Sequence, residues 1–110
     1  MLEGDTDKAL KNAKIKHTAI YETAIAYHGC MEPMNCTVYE KDGIWHIHGA
    51  NQSASFTPAV VGGAIGVDSE KVICHQYYAG GGFGRKGEND NFVMAAEASN
   101  FIKRPVKLIY

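Results

Sequence analysis

Asn35-Cys36-Thr37-Val38-Tyr39-Glu40, Lys41-Asp42-Gly43 and Ile44-Trp45-His46-Ile47-His48-Gly49 follow one another without a break. The flanking runs are rich in β-branched and aromatic residues, as strands are. The Asp-Gly pair between them accepts the positive φ that a two-residue hairpin turn demands. Antiparallel strands joined so tightly, in a chain that also carries helical segments, argue for an α+β fold and against a doubly wound parallel sheet. Working outward, residues 5–13 read as a short helix capped by Asp5, and Ile15 to Ala26 reads as a further strand. After the hairpin, Asn51 to Thr57 is loop-like. Pro58 to Ile65 fits a helix with Pro in its first turn, ended by Gly66-Val67-Asp68. A strand is predicted over 71–78, a helix over 91–102 and a strand over 105–110. The order α-β-β-β-α-β-α-β predicts one domain over residues 1–110, a mixed sheet with a hairpin and two to three helices.

Composition sets the boundaries. The 110 residues are 45% hydrophobic and 21% charged, enough for one soluble globular core. The net charge of -1 offers no basic field for nucleic acid. No apolar run is long enough to span a membrane. Met1 to Lys16 is too polar for a secretory leader. The odd set Cys30, Cys36 and Cys74 argues for reduced thiols rather than a disulfide framework. The strand-like end Val106-Lys107-Leu108-Ile109-Tyr110 gives the expectation of a piece of a longer protein.

Chemistry concentrates in Gly80-Gly81-Gly82-Phe83-Gly84-Arg85-Lys86-Gly87-Glu88. It lies between a predicted strand and a predicted helix. Bare glycines let another molecule touch the main chain, and free N–H groups beside a helix start favour an anion. Phe83 is the one large side chain there. Dinucleotide and Walker patterns both fail: no glycine stands at the sixth place, and no Gly-Lys-Ser/Thr follows. Arg85-Lys86 and Lys103-Arg104 read as solvated charges. His46 and His48 are two apart on a strand and share a face, here the outer face of the hairpin. His28, Cys30, Cys36, Cys74 and His75 show no zinc spacing. Glu32, beside Pro33 and between Met31 and Met34, is a half-buried carboxylate whose pKa rises unless it is bonded; a role accepting backbone N–H groups is the plainer reading.

Three segments together are specific. Met31-Glu32-Pro33-Met34-Asn35, Gly49-Ala50-Asn51-Gln52 and Gly80-Gly81-Gly82-Phe83-Gly84-Arg85-Lys86 resemble the large, molybdenum-cofactor-binding subunit of the xanthine dehydrogenase and aldehyde oxidase family. The wording around Cys30 to Asn35 is most similar to the isoquinoline 1-oxidoreductase β-subunit branch. The resemblance runs from about Asp5 to Tyr110 and implies a fragment of a larger molybdopterin-binding subunit. It implies that Gly81, Gly82, Phe83, Gly84 and Arg85 bind the cofactor, with Phe83 and Gly84 adjacent to molybdenum without being side-chain ligands. It implies that Glu32, Gln52 and Glu88 line the substrate funnel. It implies molybdopterin as cofactor, the cytosine dinucleotide form among the options, with iron–sulfur clusters on a partner small subunit. An aldehyde or N-heterocycle would be oxidised with oxygen from water, in a bacterial cytoplasm or periplasm.

Two departures bear on substrate. The purine enzymes place a glutamate directly after the loop lysine; here Gly87 stands there and Glu88 follows. Their molybdenum-side glutamine falls at Ala26. The family's catalytic glutamate lies outside this chain, so no catalytic residue is expected within it. The alternative from the residues alone is a non-catalytic α+β module that binds an anionic ligand through Gly80–Gly84 or serves as a subunit interface.

Overall fold

The computed structural model describes residues 3–110. The hairpin forms as its residues dictate. Strand β1 (Asn35–Lys41) pairs antiparallel with β2 (Ile44–Gly49), Val38 facing Ile47. Asp42 and Gly43 have φ of 54° and 78°, the pair of positive values that a tight turn of this hand needs.

The other elements build on that ribbon. Helix α1 (Thr6–Asn12) starts at Asp5, whose carboxylate accepts the Lys8 N–H at 2.9 Å. Helix α2 (Thr57–Ile65) has proline in its first turn and stops at Gly66 in the left-handed region. A single 3-10 turn (Ser69–Lys71) precedes β3 (Val72–Gln76), which runs parallel to β2. Helix α3 (Asp90–Ile102) leads to β4 (Val106–Ile109), antiparallel to β1. The sheet order is β3-β2-β1-β4, a mixed sheet with three helices and an α+β fold.

Alternation along the strands decides which face is covered. Cys36, Val38, Trp45, Ile47 and Val72 point to one side and meet Val61 of α2 and Phe92, Ala95 and Ala96 of α3. Val38, Ile47, Val61 and Phe92 are fully buried. The opposite face carries Tyr39, His46, His48 and His75. His48 and His75 stack with ring centroids 4.2 Å apart, and His46 Nδ1 lies 3.0 Å from His75 Nε2. This is the outer hairpin face expected for His46 and His48. Burial first, then the neighbouring His75 and His46, pushes the His48 pKa down.

One predicted element is corrected. Ile15 to Ala26 forms no strand, and Ile15, Ile20 and Ile25 are almost wholly exposed. β-favouring residues do not make a strand without a neighbour to satisfy the backbone, and within the described residues this segment pairs with neither edge of the sheet. The strand predicted over 71–78 is also shorter, running from Val72 to Gln76.

Candidate functional site

The glycine loop joins β3 to α3 by way of a 3-10 turn (Arg85–Gly87). Two distant segments hold it. From the first, Glu32 makes a two-way clasp with Gly80: its N–H donates to the Gly80 carbonyl at 3.2 Å, and its Oε2 accepts the Gly80 N–H at 2.8 Å. Cys30 Sγ donates to the Gly82 carbonyl at 3.3 Å. From the second, Gln52 Oε1 accepts the Gly84 N–H at 3.1 Å, and the Gln52 N–H donates to the Lys86 carbonyl at 2.7 Å. Asn51 and Ser53 donate to the carbonyls of Glu88 and Gly87. The three motifs that stand apart in the chain are therefore one structure.

The glycines follow from this stitching. A Cβ on Gly80 would lie 2.7 Å from the Glu32 Cβ, and one on Gly82 would lie 2.8 Å from the Gln52 Cδ. Both distances are closer than real Cβ contacts allow, so bare backbone here admits the chain's own clamps.

Phe83 stands apart from these bonds. Its φ is 50°, uncommon for a residue with a bulky side chain, and it is 71% exposed. The ring reaches back over Gly81, where an added Cβ would come within 3.3 Å of it. A large apolar side chain held outward on strained backbone is the kind of outlier that points to function. The N–H groups of Gly81, Gly82 and Phe83 have no hydrogen-bond partner among the described residues. Three successive free donors on a bare, fixed loop suit an anionic, oxygen-rich group such as a pterin phosphate with its metal-bound oxygens. The residues present fit the cofactor that the loop's wording implies.

Charge is arranged around the loop. Lys86 is 1% exposed and its ammonium donates to Glu32 Oε2. That contact, with the Gly80 N–H, holds the Glu32 carboxyl below the ordinary carboxylate range. The bonded reading of Glu32 thus prevails over burial. Arg85 makes a two-pronged pair with Asp90 at 2.9 and 2.6 Å, which holds the Asp90 carboxyl low.

Expectation and structure diverge in places. Lys86 is not on a solvated face; it lies beneath the loop, and Arg85 is spent on Asp90. Glu32 and Gln52 reach the loop, whereas Glu88 is exposed and joins through its carbonyl. The Cys30 contact was not foreseen, because a lone cysteine carries no pattern. Lys86 was legible only as part of a charged pair, and pairing across 54 residues leaves no local signal. Among the described residues no three His, Cys, Asp or Glu stand where they could hold a metal ion. Among those residues, too, no helix is long and apolar enough to cross a membrane.

Comparisons with known proteins agree with the geometry. The chain matches the molybdopterin cofactor-binding domain over residues 1–110. It is 38% identical to a membrane-bound aldehyde dehydrogenase [pyrroloquinoline-quinone] of Gluconacetobacter polyoxogenes, over 94% of this chain and 14% of that protein. It is 32% identical to the aldehyde oxidoreductase molybdenum-binding subunit PaoC of Escherichia coli O157:H7, over 96% of this chain and 15% of that one. It is 28% identical to the nicotinate dehydrogenase large molybdopterin subunit of Eubacterium barkeri, over 96% and 25%. The chain therefore spans a quarter or less of these relatives. With the clamped glycine loop in place and the match running its full length, the chain belongs to the molybdopterin cofactor-binding domain family of the xanthine dehydrogenase and aldehyde oxidoreductase type.

Proposed function

We propose that this chain supplies the cofactor cradle of a molybdenum hydroxylase that oxidises an aldehyde or an N-heterocycle. The observation that carries the reading is the loop itself. Gly80 and Gly84 are fixed by Glu32 and Gln52, while the N–H groups of Gly81, Gly82 and Phe83 stay free. In this reading Gly81, Gly82, Phe83 and Gly84 meet the cofactor, Phe83 and Gly84 lie beside the molybdenum, and Arg85, its guanidinium held by Asp90, borders the cofactor without donating to it. When bound, the cofactor supplies a two-electron acceptor at which water-derived oxygen is added to an activated C–H carbon.

The chain's own contribution is position. Glu32 and Gln52 hold the loop from below, so its donors need not reorganise when an anion arrives. The Phe83 ring narrows the space above Gly81, beside the free donors. Arg85 is anchored by Asp90, which turns its guanidinium towards α3. Within this reading Glu32 and Gln52 act beneath the loop, and Glu88 is free to face the substrate funnel. The base that activates water, the iron–sulfur partner subunit and the rest of the molybdenum subunit lie outside this chain.

Aldehydes are favoured over purines. Gly87 occupies the place where the purine enzymes carry their substrate glutamate, and two relatives named above are aldehyde enzymes. Molybdopterin is preferred to the quinone in the first relative's name because the molybdopterin domain match spans the whole chain. The test is to purify the full-length protein that carries this chain, measure molybdenum and extracted nucleotide, and assay aldehydes beside xanthine. Molybdenum near one per subunit, a cytosine nucleotide and aldehyde turnover are the expected results. Protein free of molybdenum, with quinone-dependent turnover, would contradict the reading.

A further inference from the structure

We propose that Lys86 is a positioning residue of the cofactor loop: its buried ammonium fixes the Glu32 carboxylate so that Glu32 aims the Gly80–Gly84 backbone. The proposal rests on the reading that this loop meets the cofactor, and it names a residue that no part of that reading requires.

The argument starts from where the charge sits. Lys86 is among the most deeply buried side chains of the fold, at 1% exposure, yet it lies in a three-residue turn at the sheet's end. Lysine is almost never fully buried unless paired, and its partner here is Glu32, 54 residues away in sequence. Stability does not explain the pair, since a buried ion pair is often no better than two well-packed apolar groups. Geometry does. One oxygen, Glu32 Oε2, receives both the Lys86 ammonium and the Gly80 N–H. The Lys86 carbonyl takes the Gln52 N–H at 2.7 Å, and Gln52 Oε1 in turn holds the Gly84 N–H. Lys86 therefore ties both ends of the loop, Gly80 through its side chain and Gly84 through its backbone. The free donors of Gly81, Gly82 and Phe83 lie between those two anchors.

The other charged or titratable groups facing Glu32 are few. His48, Lys107, Tyr39 and Tyr77 line the open groove of about 600 Å³ that Glu32 shares with Asn35 and Thr37. Among the described residues none of these titratable groups bonds its carboxylate, and Lys86 is the cation that commands it.

The test reads the loop directly. In the chain labelled with nitrogen-15, the Gly80 amide proton is followed from pH 7 downward. Its shift is expected to titrate with Glu32, with a midpoint below the ordinary 4.5. In Lys86→Met that midpoint is expected to rise towards 4.5 while the amides of Val38 and Ile47 stay in place. In the loaded full-length protein the same variant is expected to lose molybdenum about tenfold more readily, the usual scale for groups that orient a metal site from behind. A Gly80 midpoint that does not move, or molybdenum retained as in the wild type, overturns the proposal.

If Lys86→Met does not fold, the double variant Lys86→Met with Glu32→Gln removes both charges and leaves none buried alone. It is expected to fold, to lose the Gly80 titration and to keep the tenfold loss; wild-type retention of molybdenum would sink the idea. A wild-type protein that carries no molybdenum refutes the cofactor reading instead, and the Gly80 midpoint still decides the role of Lys86.

Discussion

Replacing Phe83 with alanine separates a site residue from a core residue. Phe83 is 71% exposed, so less than a third of its surface is removed from water. An aromatic side chain buries about 200 Å² when fully enclosed, and at about 25 cal/mol per Å² the truncation costs roughly 1–2 kcal/mol. Alanine keeps the unfavourable positive φ, so nothing is regained there. Phe92 is fully buried and its truncation is expected to cost about 3–5 kcal/mol. Phe83→Gly is the informative companion, because glycine relieves on the order of 1 kcal/mol of backbone strain and brings stability back near the wild type. Activity does not follow stability. If Phe83 shapes the space beside the molybdenum, both Phe83 variants of the full-length protein lose on the order of 100-fold in turnover, since small errors of position are expensive. Molybdenum content is expected to stay near wild type, because backbone donors do not change with the side chain. The assay measures melting, molybdenum per subunit and aldehyde turnover on the same preparations. Normal turnover in Phe83→Gly, or loss of turnover that tracks loss of folded protein, refutes the reasoning.

Other perturbations have equally definite outcomes. Gly82→Ala drives a Cβ into the flexible end of Gln52 and displaces it from the Gly84 N–H, at a cost of about 0.5–1.5 kcal/mol; in a Gln52→Ala background the same change is expected to be nearly neutral, and an equal cost there in thermal melts would contradict the steric account. Glu32 has its carboxyl held low by Lys86 and Gly80, so its contribution to stability is complete above its ordinary pKa and is lost as pH falls through the lowered folded value. Melting midpoints of the wild type are expected to fall in acid more steeply than those of Glu32→Gln, and parallel curves would refute this. Burial pushes the Cys36 thiol up to about 11, so it is expected to resist alkylation at pH 8 until the chain unfolds; prompt labelling of Cys36, read by mass spectrometry of its peptide, counts against the packed core.

The sequence carried much of this architecture because the decisive signals are local. The Asp42-Gly43 turn, the alternation along β1 and β2, the Asp5 cap and the proline of α2 each act within a few residues, and each is where it was expected. The stretch from Ile15 to Ala26 shows the limit of that reasoning. Its residues favour a strand, but a strand needs a neighbour, and no local pattern supplies one. In the site, the glycine loop and its two companion motifs were legible as wording. What joined them was not. The Lys86–Glu32 pair, the Cys30 contact with Gly82 and the use of Gly80 and Gly82 to admit other side chains arise from segments about 30 to 50 residues apart. Long-range contacts of that kind become visible only once the chain has folded.

The central claim is that the loop from Gly80 to Gly84, fixed by Glu32, Gln52 and Lys86, meets the molybdenum cofactor. Anomalous diffraction at the molybdenum edge from crystals of the full-length protein tests it most directly. The account predicts one strong peak beside the Phe83–Gly84 backbone, with the pterin phosphate within hydrogen-bond reach of the free N–H groups of Gly81 and Gly82. A molybdenum peak remote from this loop, with Phe83 and its neighbouring donors facing only protein or solvent, would contradict it.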